Sequence, residues 1–147
     1  ASQTCSMTRV FVYGSLLRDL HNHHILGDSP CVKKCARTQQ SDYLLVDSGC
    51  TFPYALKPST ASSECDALVG ELYEVSNEVM QALDRLEGHP NFYRRQEVTI
   101  EGESKKAWIY LLFTPGRHKD VLKSPAEYPR VPNGDWMAYM TAGKGGR

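Results

Sequence analysis

Glu87 is a charged residue on the apolar side of a predicted helix. At about 100° per residue, the apolar side chains of the segment Ser76–Glu87 fall on one arc, and Glu87 falls inside it, about 80° from Val79. It also lies in the last turn, where the negative end of the helix dipole disfavours a carboxylate. Burial and the dipole both raise a carboxyl pKa, and a carboxyl that titrates near neutrality suits general acid/base chemistry. The predicted buried arc consists of Val79, Met80, Leu83 and Leu86.

A purely structural explanation of Glu87 fits the same pattern. If the helix ends one residue early, the side chain returns to solvent, since helix ends shift easily by a residue or two. Two cations that follow closely, Arg94 and Arg95, are also available as ion-pair partners. Helical geometry alone does not decide between a functional and a structural role.

A second candidate for chemistry is the point where an apolar strand stops. Arg9–Tyr13 is β-branched and aromatic, and it ends abruptly at Gly14-Ser15, which predicts a buried strand that runs into a tight loop. Gly14 belongs to neither a GxGxxG nor a GxxxxGK pattern, so this loop is not predicted to bind phosphate.

The histidine cluster His21, His23 and His24 is not assigned to chemistry. An HxHH segment in a predicted loop lacks partnering carboxylates at a known ligand spacing, which is typical of a solvated polar segment rather than a metal site. No metal site and no cofactor is predicted elsewhere.

The cysteines indicate reduced thiols. Their number is odd, residues 1–9 contain no apolar stretch of the kind found in a signal peptide, and the spacing of Cys31 and Cys35 suits neither a redox CxxC motif nor a zinc knuckle. We therefore expect a cytoplasmic protein in a reducing compartment. The five residues are Cys5, Cys31, Cys35, Cys50 and Cys65.

Length and charge limit the class of protein. The chain has 147 residues, with 17 Lys and Arg against 17 Asp and Glu, which predicts a single domain and argues against a nucleic-acid-binding function. Its longest apolar run, Ala107–Phe113, is far shorter than the ~20 residues of a transmembrane helix. Within 1–147 we expect a flexible N-terminus over 1–8 and a Pro-rich C-terminal strap and tail over 114–147.

The elements that must position these residues are mostly strands. A short helix is expected between Leu16 and Leu26, and Ser76 and Gly88 are suitable caps for the helix between them. Because strands outnumber helices and no βαβ alternation is visible, the pattern favours an α+β fold, a small mixed β-barrel with a few short helices. Further strands are predicted over Asp42–Asp47, Phe52–Lys57, Leu68–Val75, Tyr93–Glu101 and Lys106–Phe113, the last of them central.

Two ordered motifs resemble the signatures of the gamma-glutamylcyclotransferase superfamily. The first is VFVYGSL at Val10–Leu16, followed by Arg18 and Asn22. The second is GELYEV at Gly70–Val75, followed by LDxxEGxPxxYxR from Leu83. The spacing of the tyrosine six residues after the glutamate is most similar to the gamma-glutamylamine cyclotransferase branch, and avirulence-induced plant proteins share both signatures. The resemblance covers roughly residues 9–113.

The resemblance implies that both motifs line one cavity of the barrel. Each residue taken singly has a structural explanation, such as a core aromatic, a turn glycine or a capping serine, but the ordered set favours an active site. A GDW-like element at Gly134-Asp135-Trp136, with Tyr139, is expected to pack across the barrel mouth. The implied site consists of Glu87 as the catalytic acid/base and six substrate-binding residues: Tyr13, Gly14, Ser15, Leu16, Tyr93 and Tyr110.

The activity that the resemblance implies is release of 5-oxoproline from a small-molecule γ-glutamyl compound. Its α-amine attacks its own γ-carbonyl, so the protein must hold the folded-back conformer and move protons, without a cofactor. The alternative is a non-catalytic ligand-binding or interaction module on the same barrel. The leaving amine and the oligomeric state are not implied.

Overall fold

A computed structural model describes residues 7–18, 20, 22–49, 52–58, 65–113 and 128–142. The predictions made for Cys5, Cys50 and His21, for 1–6 of the N-terminal tail, and for 114–127 and 143–147 of the C-terminal segment lie outside the described residues.

The described residues form seven strands, two α-helices and two short 3-10 turns, at His23–Leu26 and Pro132–Gly134. None of these helices has the length and apolar composition needed to span a bilayer. The elements are β1 (Thr8–Val12), β2 (Cys31–Arg37), β3 (Leu44–Asp47), β4 (Pro53–Leu56), β5 (Val69–Val75), α1 (Asn77–Glu87), β6 (Tyr93–Val98), β7 (Ala107–Leu112) and α2 (Trp136–Thr141).

Strand β1 lies at the centre of a five-stranded sheet. The strand order is β2-β5-β1-β7-β6, in which β1 is antiparallel to β5 and parallel to β7. Val10, Phe11 and Val12 are almost fully buried, as expected for a continuous apolar run in the middle of a sheet. Strand β7, which the sequence predicted to be central, is an interior strand between β1 and β6, and the middle position belongs to β1.

The predicted α+β class is confirmed, but the sheet does not close into a barrel. Its edge strands β2 and β6 form no continuous ladder with each other. They approach only beyond their ends, where Thr38 and Ile100 form an isolated bridge and the Glu101 amide donates to the Arg37 carbonyl at 2.9 Å. Strands β3 and β4 form a separate antiparallel hairpin.

Strand β2 was not predicted from the sequence. It is an edge strand with two register shifts against β5, and several of its side chains are exposed, including Lys34 and Cys35. Such a strand lacks the alternation of apolar and polar residues by which strands are recognised.

Helix α1 has the predicted caps. The Ser76 hydroxyl accepts from the Val79 amide at 3.2 Å, and Gly88 takes a left-handed conformation with φ of 67°. Met80 and Leu83 are buried, but Leu86 is 39% exposed, which contradicts its prediction as a buried residue. The reason is that Leu86 faces a cavity, described below, instead of the packed core.

The described part of the C-terminal segment packs on the β3-β4 hairpin. The Val131 amide donates to the Leu45 carbonyl at 2.8 Å, and the Tyr139 hydroxyl donates to Oδ2 of Asp47 at 3.0 Å. Trp136 is fully buried at the start of α2, a helix that the sequence analysis did not predict. Among the described residues of this segment, Tyr128 contacts the ring of Tyr54 with centroids 6.0 Å apart.

Candidate active site

One cavity brings all seven predicted site residues together. Its volume is about 260 Å³, just under the range of about 300–1,000 Å³ that is usual for small-molecule sites. Its lining combines the loop after β1, the end of α1, and side chains from β6 and β7. The predicted residues among the lining are Tyr13, Gly14, Ser15, Leu16, Glu87, Tyr93 and Tyr110.

The loop Tyr13–Leu16 is held by hydrogen bonds within the chain segment that follows it. The Leu17 amide donates to the Gly14 carbonyl at 2.9 Å, and the Asn22 amide donates to the Ser15 carbonyl at 3.0 Å. The Asn22 side chain also donates to the Ser15 hydroxyl at 2.9 Å. Because β1 is anchored in the sheet centre, the loop presents a fixed backbone to the cavity.

Two backbone amides of this loop are open to a ligand. The amides of Ser15 and Leu16 donate to no other residue that the structure describes. By contrast, the Leu17 amide donates to the Gly14 carbonyl, and the Arg18 amide donates to Oε1 of Glu71 at 3.1 Å. Paired backbone donors of this kind can bind a carboxylate or an oxyanion.

Glu87 lies at the end of α1, with its side chain on the cavity wall. Desolvation by burial raises the pKa of its carboxyl to about 7, in the direction that the helical pattern predicts. Within the described part of the chain, no hydrogen-bond donor or cation pairs with it. Helix α1 includes Glu87, so the structural alternative of an earlier helix end does not apply.

The two arginines considered as partners of Glu87 lie against other groups. Arg94 donates from Nε to the Pro90 carbonyl at 3.3 Å, and its guanidinium lies 3.5 Å from the ring centroid of Phe113. Arg95 pairs through Nε with Oδ1 of Asp84 at 3.5 Å. Neither arginine therefore neutralises the Glu87 carboxylate by direct contact.

Three tyrosine hydroxyls of the cavity donate to fixed protein acceptors. Tyr13 donates to the backbone carbonyl of Tyr110, Tyr93 donates to the Pro53 carbonyl at 3.0 Å, and Tyr110 donates to Oδ1 of Asp84 at 2.6 Å. Burial raises the pKa of all three phenols, so they stay protonated at neutral pH.

Seven lining residues were not predicted as site residues. Phe11, Val12 and Asn22 were noted as members of the first motif but were given no role in the site, although their position beside the loop was a usable signal. Leu86 and Phe92 directly precede the predicted residues Glu87 and Tyr93, whereas Phe52 and Pro53 come from a distant segment that only tertiary packing brings here. The full set is Phe11, Val12, Asn22, Phe52, Pro53, Leu86 and Phe92.

No metal ligands are grouped in the part of the chain that the structure describes: no three His, Cys, Asp or Glu side chains lie together there. His23 instead has Nδ1 2.9 Å from the Leu16 carbonyl oxygen, so it supports the loop. The arrangement as a whole can move a proton through Glu87 and bind an oxygen anion through the loop amides.

Comparison with known proteins places this geometry in a family. Residues 10–138 match the family described as gamma-glutamyl cyclotransferase, AIG2-like. A protein of Methanocaldococcus jannaschii, provisionally named a gamma-glutamylcyclotransferase, is 34% identical over 125 residues, covering 78% of this chain and 98% of its own. Gamma-glutamylaminecyclotransferase C of Danio rerio is 30% identical over 145 residues, covering 88% and 90%.

A solved structure has the same fold. The crystal structure of YkqA from Bacillus subtilis matches with a TM-score of 0.69 at 25% identity, over 95% of this chain and 43% of that chain. The family match extends from β1 into α2, so it includes both the loop Tyr13–Leu16 and Glu87. This chain therefore belongs to the gamma-glutamyl cyclotransferase, AIG2-like family.

Proposed function

We propose that the protein is a cyclotransferase that converts a γ-glutamyl compound to 5-oxoproline and a free amine. The observation that carries the proposal is the Glu87 carboxyl, which lies in the cavity with a pKa of about 7 and pairs with no other described residue. A partnerless carboxyl is costly to bury and contributes little to packing, whereas the raised pKa that burial gives it suits general acid/base chemistry. Membership of the family supports the same activity.

The proposed reaction is intramolecular. The α-amine nitrogen attacks the γ-carbonyl carbon, a C–N bond forms in the new five-membered ring, and the original γ-amide C–N bond breaks. Glu87 as a carboxylate takes a proton from the α-ammonium group, and as a carboxylic acid it gives that proton to the departing amine. The attacking nitrogen loses a second proton as the ring amide forms, and this proton passes to the released amine, which leaves as an ammonium ion. The carboxylate is thereby regenerated, and no other reactant is needed.

A pKa near 7 suits a group that must act in both directions. At neutral pH about half of the Glu87 carboxyls are ionised and can accept a proton, and the protonated form is acidic enough to release it again. A carboxyl with the ordinary pKa of about 4.3 would be a poor acid catalyst for a departing amine.

The loop after β1 has the proposed role of holding the substrate. The open amides of Ser15 and Leu16 are suited to the substrate's α-carboxylate or to the oxyanion that develops on the γ-carbonyl oxygen. Holding the folded-back conformer places the amine beside the carbonyl, and such positioning is a large part of the rate of an intramolecular reaction. The residues with substrate-binding roles are Tyr13, Gly14, Ser15, Leu16, Tyr93 and Tyr110.

The experiment that tests the proposal is a direct assay for 5-oxoproline. The purified protein is incubated with γ-glutamyl amino acids, γ-glutamyl-ε-lysine and glutathione, and the Glu87→Gln variant serves as the matched control. We expect 5-oxoproline from at least one compound with the wild type and a large loss with the variant. Binding of these compounds without product from any of them would overturn the enzyme and favour a non-catalytic binding module.

A further inference from the structure

Three tyrosine hydroxyls share the cavity with Glu87 but donate to other acceptors. Tyr13, Tyr93 and Tyr110 line the same cavity as Glu87, and the negative charge of its carboxylate adds to burial in raising the pKa of all three phenols. None of them donates to it, because each proton is already bound to another acceptor. Glu87 therefore receives no hydrogen bond from any of the three hydroxyls.

The acceptors differ in kind. Tyr13 and Tyr93 donate to backbone carbonyls, of Tyr110 and of Pro53, which any residue at those positions would provide. Tyr110 donates to a side chain, Asp84, at 2.6 Å, a short distance typical of a hydrogen bond to a charged acceptor. Asp84 lies on the same helix as Glu87, three residues before it.

We propose that Asp84 is a positioning residue that acts on Glu87 through Tyr110: by accepting the Tyr110 phenol proton, it denies Glu87 a hydrogen-bond donor. The oxygen of Tyr110 then presents only acceptor lone pairs to the cavity, which suits a substrate ammonium group. Asp84 itself does not line the cavity and touches no substrate in this scheme. The importance of Glu87 here rests on the proposed function.

The physical consequence concerns the two protonation states of Glu87. A phenol that donated to the carboxylate would stabilise its charged form and lower its pKa. The carboxyl would then be almost fully ionised at neutral pH, and little of the protonated form would remain to donate to a departing amine. Because the Tyr110 hydroxyl donates to Asp84 instead, the Glu87 pKa stays at the raised value that desolvation gives it.

The negative charge of Asp84 can also act on the Glu87 pKa, and this effect has to be distinguished from the effect of the hydrogen bond that Asp84 accepts from Tyr110. Arg95 of β6 lies 3.5 Å from Asp84, and His89, whose Nδ1 accepts from the Arg95 amide at 3.3 Å, lies beside the Tyr110 ring. Removal of the Asp84 charge alone would lower the Glu87 pKa, whether or not Tyr110 moves. The groups facing Glu87 from other elements are Tyr13 from the loop, Tyr93 from β6 and Tyr110 from β7.

The test is a titration of the Glu87 carboxyl itself. Protein labelled with ¹³C at glutamate side-chain carboxyls is followed by NMR from about pH 4 to 9, and Glu87→Gln assigns the signal. The variants are Asp84→Ala, Asp84→Asn, Tyr110→Phe and the double variant Asp84→Ala/Tyr110→Phe. Amide spectra and thermal midpoints show that each variant is folded.

We expect Asp84→Ala to lower the titration midpoint by about one pH unit, since the freed Tyr110 hydroxyl can then donate to the cavity. Asp84→Asn keeps a carbonyl acceptor for Tyr110 and should restore most of the wild-type midpoint. In the Tyr110→Phe background, Asp84→Ala should lower the midpoint by clearly less, because only the Asp84 charge is lost and there is no phenol proton to release.

Two results would overturn the inference. One is an unchanged Glu87 midpoint in Asp84→Ala, and the other is an equal shift with and without the Tyr110 hydroxyl, which would indicate charge alone. The titration does not require turnover, so a protein that releases no 5-oxoproline refutes the proposed function without affecting this measurement. Where turnover is present, the acidic limb of kcat/KM should shift in parallel with the NMR midpoint.

Discussion

Gly14 and Pro53 are so close that a Cβ atom at position 14 would lie 2.8 Å from Cδ of Pro53. Pro53 begins β4 of the separate hairpin, and its carbonyl also accepts the Tyr93 hydroxyl. The loop Tyr13–Leu16 is therefore fitted directly against a second element of the cavity wall. Glycine is required here for close approach of the backbone to a rigid proline ring.

Substitution of Gly14 by a bulky residue should abolish ligand binding. Valine at this position collides with Pro53, so the loop must move away and its open amides lose their positions. Gly14→Ala should be less severe, and Gly14→Ala combined with Pro53→Ala, which removes the ring atoms that collide, should recover part of the loss. Calorimetric titration with 5-oxoproline or a substrate measures this, and native affinity in Gly14→Val would contradict the role of the loop.

Ser15→Ala should cost little activity. The Ser15 hydroxyl accepts from the Asn22 side chain, and the backbone amide, which the substitution preserves, is the proposed contact with substrate. The loss of one such hydrogen bond costs about 0.5–1.5 kcal/mol of stability. A large fall in kcat at unchanged KM would instead show that the hydroxyl acts in the transition state. Asn22→Ala is the matched control, because it removes the same hydrogen bond from the other side.

The parts of the site that sequence could predict depend on local periodicity. Glu87 was identified because its helix places Met80 and Leu83 on one buried face at 3.6 residues per turn, and both are buried in the structure. The loop after β1 was identified because the β-branched and aromatic run Val10–Tyr13 stops at a glycine. In both cases residues a few positions apart determine the geometry.

The parts that could not be predicted depend on contacts between distant segments. Nothing near Pro53 in the sequence indicates that it meets Gly14, and Leu86 has the same local pattern as a core leucine although it faces the cavity. The expected barrel required β2 and β6 to pair along their lengths. Whether two edges pair is decided by tertiary packing, and here they meet only at one end, through the Thr38–Ile100 bridge and the backbone hydrogen bonds beside it.

The thiols should be dispensable for turnover. Cys31 and Cys35 are free thiols, and none of the described cysteines, which include Cys65, lines the candidate cavity. Single replacements of them by serine, and of Cys50, should leave kcat/KM within about twofold. Cys65 is buried, so Cys65→Ser should lower the thermal midpoint. Activity that depends on reductant in the wild type, and no longer does so in one variant, would contradict this prediction.

Glu87 should make the protein less stable as the pH rises. The folded-state pKa of about 7 lies above the ordinary value of 4.5, so the folded protein binds the extra proton between these values. The stabilisation is fully present below about pH 4.5 and is lost as the pH rises through 7, by at most about 3 kcal/mol. Glu87→Gln lacks this titration, so its stability relative to wild type should increase between pH 5 and 8. Urea unfolding at a series of pH values measures the difference, and a constant difference would contradict the raised pKa.

Glu87→Gln should separate turnover from folding and binding. Glutamine has nearly the same shape, and it removes a carboxyl whose ionised form is buried without a partner among the described residues, so the thermal midpoint at pH 8 should be equal to wild type or higher. The loop Tyr13–Leu16 is unchanged, so affinity for 5-oxoproline should survive. Because an amide can neither take the α-ammonium proton nor return it to the leaving amine, kcat should fall by about 10²–10⁴.

Glu87→Asp is a useful companion, since it keeps the acid but withdraws it by one methylene, and we expect its kcat to be intermediate. A Glu87→Gln variant with near-native kcat would show that the carboxyl is structural, and a variant that also loses 5-oxoproline affinity would show that Glu87 binds rather than catalyses.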